Sequence, residues 1–419
     1  MISLTVFVSL LFFYSLISQR LERTIITAPI VFTVAGMLMS PALPEILKAG
    51  FNAEVLFRLS EIGLVLLLFA DASRTDLNTL RRIGSLPARL LSIGMLLTIL
   101  LGAFTARLVF PDLSIWEAGI LAAVLAPIDA GLGQIIVNSP RVPMPIRQAL
   151  NVEAGLNDGL SVPFLMFFIA LAAAKTESPA ASLTQFIIEQ LGYGVLIGGG
   201  IGFAGGCLLG LAGRKGWMAE SFQQIGVVAL PLLCLEGSKM IGASMFIAAF
   251  IAGLTVQFGF KEAGKHSVEF VEEWGQLLNF AVFFLFGLVA VRALPQFNLA
   301  LALYAVLSLT VVRMLPVAIA LTGTGLSPAG ILFMGWFGPR GLASIVLGLV
   351  YLQQEIHLPG EEAIRLAVIA TVLFSIFAHG LSAAPGIALY AGKTASPGID
   401  AAPKIPGGDA SDTGNHNKN

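Results

Sequence analysis

The chain has 419 residues, of which 56% are hydrophobic and only 12% are charged, and its formal net charge is −1. Soluble domains carry about 25% charged residues, so this composition excludes a water-soluble fold. The mean hydropathy of +0.87 predicts a polytopic membrane protein, and the small net charge gives no reason to expect nucleic acid as a partner. Cys207 and Cys234 both lie in apolar runs, which favours small buried side chains over a disulfide or a metal site.

A membrane-spanning helix needs about 20 mostly apolar residues. Proline, glycine and clusters of charge divide the chain into thirteen such helices, so we predict an all-α fold. The first begins almost at Met1, and no cleaved signal peptide is predicted. The helices form a transmembrane domain over residues 1–392, and the polar residues 393–419 are predicted to be a disordered tail. The predicted helices lie at residues 2–18, 24–40, 55–73, 87–109, 114–138, 145–174, 183–212, 221–237, 241–259, 273–292, 297–321, 325–352 and 362–391.

The positive-inside rule gives the chain a direction in the membrane. One set of alternate loops holds thirteen lysine and arginine residues and the other set holds seven, leaving out the tail and Arg340. Arg313 is counted with the richer set because it lies nearest that side. We therefore predict a multi-pass protein of the plasma or inner membrane, with the N-terminus outside and the tail in the cytoplasm.

Helices five and twelve both carry an interruption at mid-span. Thirteen helices divide into two six-helix repeats of opposite topology joined by helix seven, the plan of many secondary transporters, and in that plan helices five and twelve correspond. Helix five holds Pro127 and Asp129, and helix twelve holds Gly338, Pro339 and Arg340. Proline removes a hydrogen-bond donor and glycine loosens the backbone. Paired breaks that contain ionisable residues indicate an ion site near the midplane.

The stretch NVEAGLNDGLSVP (151–163) places two carboxylates inside predicted helix six. Glu153 and Asn157 are four residues apart and share a face, and Asp158 lies about 100° further round the helix. An isolated carboxylate in an apolar medium takes up a proton unless a cation pairs with it or water reaches it. Arg340 is the basic residue predicted near mid-span, so one carboxylate can be paired while the other alternates between a proton and a cation.

Three motifs, LAPIDA (125–130), EAGLNDG (153–159) and GPRGLAS (338–344), resemble the monovalent cation/proton antiporters of the sodium/proton exchanger family. The resemblance covers nearly the whole chain. It implies an electroneutral exchanger that needs no cofactor and works as a homodimer. A dimerisation domain would hold a core domain that moves like an elevator, and helices five and twelve would be unwound and crossed.

The resemblance also implies roles for single residues. Asp158 would bind the cation or the proton in alternation. Glu153 would form a structural ion pair with Arg340. Asn157 would brace the two broken helices.

Two positions lack a hydroxyl group that members of this family often have. Ala154 stands where Ser or Thr often follows the glutamate, and helix five reads Ile128-Asp129-Ala130 where Thr-Asp-Pro is frequent. We place Ile128 and Asp129 in the ion site with Asp158. A small, hard cation prefers oxygen ligands, so fewer hydroxyls favour an ion that keeps more water or is larger. Potassium is therefore an option beside sodium and lithium.

Two other classes of function are open at this point. Glu153 and Asp158 could form the acid/base pair of an intramembrane hydrolase, although Arg340 would neutralise one of them and no nucleophile motif accompanies them. A cation channel is the second alternative. Among the other polar residues of the predicted spans, Asp71 and Glu61 receive no role, and His379 favours hydrogen-bonded packing over a proton relay.

Overall fold

Helices make up the regular structure of this protein. The computed structural model describes residues 2–21, 24–39, 53–74, 85–173, 184–260, 267–354 and 356–394, and these ranges contain no β-strand. The all-α fold predicted from composition is therefore confirmed. Residues 395–419 of the predicted tail lie outside the described residues, and the last helix reaches Thr394, two residues beyond the predicted domain end.

The first half of the chain forms helices in each of the first six predicted intervals. The fifth interval is split into two half-helices, which we label α5a and α5b. The bounds are α1 (Ile2–Leu21), α2 (Ala28–Met39), α3 (Ala53–Ser73), α4 (Ser85–Val109), α5a (Ile115–Leu125), α5b (Ala130–Val137) and α6 (Met144–Ala172).

The second half repeats this pattern, with helix twelve split as helix five is. Helix eleven is also split, at Thr310, which was not predicted. The bounds are α7 (Thr184–Arg214), α8 (Glu220–Ile241), α9 (Met245–Gly259), α10 (Ser267–Ala293), α11a (Leu299–Leu309), α11b (Val311–Ala320), α12a (Pro328–Trp336), α12b (Leu342–Leu352) and α13 (Glu361–Thr394).

Local signals fix several of these helix ends. Ser114 caps α5a and forms a reciprocal capping box with Glu117, which satisfies two backbone N–H groups that have no partner inside the helix. Ser327 accepts a hydrogen bond from Gly330 at the start of α12a, with Pro328 in the first turn. The helix α8 is capped at its C-terminus by Gly242, whose φ of 69° lies in the left-handed region that glycine tolerates.

The helices pack in two groups that alternate along the chain. One group joins α2, α3, α7, α8, α9 and α10, and the other joins α4, α5a, α5b, α6, α11, α12 and α13. The two groups meet where α6 packs on α9 and where α12b packs on α3. The helix α1 contacts the first group through Phe7 and Tyr14, whose rings lie against Phe32, Phe280 and Phe284.

The two predicted interruptions occur where the sequence placed them. Residues 126–129 separate α5a from α5b, and residues 337–341 separate α12a from α12b. We call these two segments together the break junction. Seven helices of the described residues are long and apolar enough to cross a bilayer, and five shorter apolar helices accompany them. The total of thirteen spans and the crossing of helices five and twelve stay predictions.

A row of glycines lets α7 approach α9 closely. Gly194, Gly198, Gly202, Gly206 and Gly210 are all buried and recur every four residues, so they lie on one face. A methyl group at Gly198 would collide with the backbone carbonyl of Ala248. The backbones of these two helices are therefore in direct contact, as small residues allow in membrane proteins.

Replacing two neighbouring glycines by alanine tests this contact. Alanine favours a helix over glycine by about 1 kcal/mol, so Gly200→Ala, where a methyl group meets no atom within 4 Å, should keep or raise the melting temperature of the purified protein. Gly198→Ala should lower it, because the carbonyl of Ala248 cannot move aside as a flexible side chain would. Equal melting temperatures for the two variants would contradict this packing.

Candidate ion-binding site

The two breaks lie directly against each other and share one carboxylate. The backbone N–H of Asp129 donates to the carbonyl oxygen of Pro339 at 2.8 Å. The Asp129 carboxylate accepts from the N–H of Leu132 at 3.1 Å in its own half-helix, and from the N–H of Leu342 at the start of α12b. One buried carboxylate thus caps two helix N-termini, each of which carries a partial positive charge.

Arg340 serves the opposite helix end. It is completely buried, and its Nη1 donates to the carbonyl oxygens of Ala126 at 2.7 Å and Pro127 at 2.8 Å. These carbonyls lie just beyond the last residue of α5a, where a helix carries partial negative charge. Arg340 therefore satisfies backbone acceptors that the break of helix five leaves open.

Glu153 pairs with Arg313, so the predicted pair between Glu153 and Arg340 is wrong. Arg313 of α11b donates from Nη1 to one carboxylate oxygen of Glu153 at 2.6 Å and from Nη2 to the other at 2.9 Å. Both side chains are buried. This is the bidentate geometry in which arginine and carboxylate interact most strongly.

The positive-inside comparison assigns Arg313 to a membrane surface, which leaves Arg340 as the candidate partner of Glu153. Arg313 lies eight residues before Leu321, the end of predicted helix eleven, which is about 12 Å along a helix. This distance already places Arg313 well inside the membrane. The open carbonyls of the helix-five break then compete for Arg340 and hold it. No spacing rule reveals which of two buried arginines turns toward Glu153.

Two glycines of GPRGLAS make room for these charged groups. A side chain at Gly338 would collide with the guanidinium of Arg313, and one at Gly341 would collide with the carboxylate of Asp129. The two glycines therefore do more than loosen helix twelve. They let Arg313 and Asp129 approach the backbone of the break closely.

Asp158 and Asn157 are buried side by side in the sequence of α6, and one side-chain oxygen of each lacks a hydrogen-bond partner among the described residues. Their side chains are only 2% and 3% exposed, and the Oδ1 atom of each has no hydrogen-bond partner within the described ranges. No arginine or lysine of these ranges pairs with Asp158. The predicted bracing role of Asn157 stays a prediction.

Ile128 and Ala154 meet beside the junction. They line one small cavity of about 10 Å³ together with Asp129, Asn151 and Pro339, close to the space that one water molecule needs. The two positions that lack a hydroxyl group therefore lie against the same space as the Asp129 carboxylate. Asp158 does not line this cavity, although Ala154 precedes it by one turn of α6.

A polar cavity of about 190 Å³ leads toward the junction, and we call it the vestibule. It shares Val137 and Asn151 with the small cavity. Its wall includes Asp71, which the sequence left without a role, and Glu272, which forms an ion pair with Arg74.

Glu61, the other residue left without a role, forms a separate ion pair. It is buried on α3, and Lys239 of α8 lies 2.8 Å from it. Arg58 contacts the same carboxylate oxygen at 3.5 Å. The pair joins two helices of the first packing group, so we assign Glu61 to helix packing.

The fold and the site define a polytopic helical membrane protein whose charged side chains are buried around two broken helices. The model of one transmembrane family, described as sodium/hydrogen exchanger, matches residues 6–388. The chain belongs to this sodium/hydrogen exchanger family, and the resemblance predicted from the three motifs is confirmed.

Similar proteins carry the names of antiporters, which are transporters and not enzymes. The K(+)/H(+) antiporter NhaP of Alkalimonas amylolytica is 25% identical over 92% of this chain and 66% of its own length. The sodium, potassium, lithium and rubidium/H(+) antiporter of Bacillus subtilis is 27% identical over 57% of this chain and 35% of its own length. The chain thus spans at most about two thirds of these curated relatives.

A solved structure shares the fold. The sodium proton antiporter MjNhaP1 from Methanocaldococcus jannaschii superposes with a TM-score of 0.68 at 20% identity, covering 91% of this chain and 99% of that one. At 20% identity this similarity is evidence for a shared fold and not for a shared function.

A double-mutant cycle tests the Glu153–Arg313 pair. Removing one partner leaves a buried charge uncompensated, which costs about 3–5 kcal/mol, so Glu153→Ala and Arg313→Ala should each lower the melting temperature of the purified protein strongly. The double variant should lose much less than the sum of the two single losses. Arg292→Ala, at an exposed position, is the control. A double variant that loses the full sum would contradict direct pairing.

Proposed function

We propose that this protein exchanges a monovalent cation for a proton across the membrane, and that Asp158 binds each of them in turn. The observation that carries the proposal is the buried carboxylate of Asp158, which has no arginine or lysine partner among the described residues. Arg313 and Arg340 are bonded to other groups of the site. A bare carboxylate in an apolar interior is strongly disfavoured. A proton and a cation therefore compete for Asp158, and this competition couples their movements.

The charge balance of the site supports a one-for-one exchange. Each helix end carries about half an elementary charge, so the charge on Asp129 is balanced by the two N-termini that it caps. The positive charge of Arg340 faces the C-terminal carbonyls of α5a, whose partial negative charge opposes it. Glu153 and Arg313 neutralise each other. Asp158 is then left with a single charge that one proton or one monovalent cation neutralises, which makes the exchange electroneutral.

The packing of the helices supports alternating access. We propose that α2, α3 and α7–α10 form the dimerisation domain of a homodimer and that α4–α6 and α11–α13 form the moving core. The charged groups of the junction all belong to the core group, as does Asp158 on α6, which packs against both broken helices. The vestibule runs between the two groups, from Arg74 and Glu272 on one side to Gln134 on the other. Movement of the core would close it.

The proposal includes the orientation of the chain in the membrane and the membrane in which it lies. Arg313 is buried, so it no longer counts toward the positive-inside comparison, and twelve basic residues still face seven. We propose a cytoplasmic C-terminus in the plasma or inner membrane.

A transport assay separates exchange from the two alternative functions. In proteoliposomes that contain a pH-sensitive dye, an exchanger moves protons when a cation is added to the other side, and its rate is unaffected by a clamped membrane potential if exchange is electroneutral. A cation channel carries current instead. An intramembrane hydrolase moves no ion at all.

Asp158→Asn tests the proposed carrier in this assay. The amide keeps the shape of the side chain but can neither release a proton nor balance the charge of a cation, so exchange should fall to the level of empty liposomes while the protein stays folded. Asp112→Asn, at an exposed loop position, should leave exchange unchanged. A purified Asp158→Asn variant that still dissipates the pH gradient when cation is added would show that another group carries the ion.

We propose that sodium is exchanged and that potassium is also accepted. The small cavity beside Asp129 is lined at Ile128 and Ala154 by side chains without oxygen, so a bound ion depends more on water and backbone carbonyls. The names of two relatives, which mention potassium, are in line with this proposal.

Ala154→Ser should shift the preference toward sodium. The added hydroxyl supplies an oxygen ligand one turn before Asp158, and a smaller ion gains more from each close oxygen. The half-saturating concentrations of sodium and potassium, measured for both proteins at one pH, give the affinity ratio. Ala106→Ser, at a buried position of α4, is the control for a buried hydroxyl elsewhere. An unchanged ratio, or a wild type that ignores potassium, would contradict the role of the missing hydroxyls.

A further inference from the structure

The break of helix twelve receives two of its hydrogen bonds from α13. The backbone N–H of Arg340 donates to the hydroxyl of Ser375 at 2.6 Å. The ring Nε2 of His379 lies 2.9 Å from the carbonyl oxygen of Trp336, the last residue of α12a. Ser375 and His379 are four residues apart and therefore share one face of α13.

These two side chains also contact each other. The Oγ of Ser375 lies 3.1 Å from Nδ1 of His379. A continuous chain of hydrogen bonds thus leaves the broken segment at Arg340, crosses Ser375 and His379, and returns to it at Trp336. We call this ring of four groups the break clamp. The side chain of Trp336 adds a further bond to α13, from Nε1 to the hydroxyl of Ser382 at 2.9 Å.

The direction of each hydrogen bond follows from the chemistry of its ends. The carbonyl of Trp336 can only accept, so Nε2 of His379 must carry the proton. The N–H of Arg340 can only donate, so the Ser375 hydroxyl accepts it, and in the neutral ring this hydroxyl gives its own hydrogen to Nδ1. The carbonyl oxygen of Ser375, also 3.1 Å from Nδ1, then accepts no hydrogen bond from the ring. In this neutral tautomer all bonds of the ring run in the same sense, an arrangement in which neighbouring bonds polarise and strengthen one another.

We propose that Ser375 and His379 are positioning residues for the ion site. They hold the backbone at both ends of the helix-twelve break, from Trp336 to Arg340. Three groups in or next to this segment form hydrogen bonds with the helix-five break. They are the Arg340 guanidinium, the carbonyl of Pro339 and the N–H of Leu342. A loosened clamp would shift Arg340 and Asp129 together, and with them the surroundings of Asp158.

The polar groups around His379 favour the same positioning role over a proton relay. Both ring nitrogens of His379 are within hydrogen-bond distance of groups on α13 or α12a. No carboxylate of the described ranges is among these partners, so the ring has no acidic neighbour with which to pass a proton onward. The ring of Trp336 covers it, with centroids 5.1 Å apart.

Transport kinetics test the clamp, and this test rests on the proposed exchange function. Ser375→Ala and His379→Phe should each raise the half-saturating cation concentration about tenfold, the loss typical when a group that orients a ligand is removed. The clamp acts as one ring, so the double variant should lose little more than either single variant. Ser60→Ala is the control, because Ser60 is buried but bonds only to its own helix, at the carbonyl of Leu56.

Conservative variants separate positioning from simple packing. His379→Gln keeps an N–H donor for the carbonyl of Trp336, and Ser375→Thr keeps the hydroxyl, so both should stay close to wild type. If Ser375→Ala and His379→Phe lower only the melting temperature or the maximal rate and leave the half-saturating concentration unchanged, the residues are structural and the proposal is overturned. It is also overturned if His379→Gln is as impaired as His379→Phe.

A second measurement does not depend on transport. Nitrogen-15 NMR of histidine-labelled protein distinguishes the two neutral ring tautomers, and the signal that disappears in His379→Gln identifies His379 among the four histidines of the chain. We expect a proton on Nε2 and none on Nδ1, and the opposite tautomer would contradict the clamp.

An inactive wild type would overturn the exchange function, whereas an active wild type with unaffected clamp variants would overturn this inference alone.

Discussion

Backbone groups that lose their helical partners at membrane depth are the constraint on which this structure depends. Lipid offers no hydrogen bonds, so every open N–H and C=O of the break junction needs a partner inside the protein. Asp129 supplies acceptors to two half-helices, and Arg340 supplies donors to the carbonyls of a third. The charges of these side chains also oppose the partial charges of the helix ends that they face. The breaks and the buried charges therefore stabilise each other.

This arrangement explains why the site needs two arginines. Arg340 is held through Nη1 at the carbonyls of Ala126 and Pro127, and within the described residues it forms no ion pair with a carboxylate of α6. Glu153 takes Arg313 instead, in a two-bond contact for which Gly338 leaves room. An uncompensated Glu153 would compete with Asp158 for the same proton or cation. Pairing it with its own arginine leaves one carboxylate whose charge can change.

The sequence predicts the parts of this site better than their connections. Thirteen apolar intervals, the breaks at Pro127 and Gly338, and the family itself follow from composition, from helix-breaking residues and from three motifs. Arg313, which meets Glu153, lies on α11b, shortly after a break at Thr310 that no proline or glycine marks. Hydrogen bonds from the N–H of Leu342 to Asp129 and from the N–H of Arg340 to Ser375 join residues 213 and 35 positions apart. Spacing along one helix cannot predict such pairs.

The same charge balance explains how exchange would avoid leaking ions. In the proposed exchange, a core in which Asp158 holds a proton and a core in which it holds a monovalent cation have the same total charge, because either ion neutralises one carboxylate. Both loaded forms are neutral and can cross the apolar surroundings at similar cost. The empty form exposes a bare carboxylate to a medium in which an unpaired charge is strongly disfavoured. In the proposed mechanism the unloaded core therefore moves rarely, so that the transport of one ion is coupled to the return of the other.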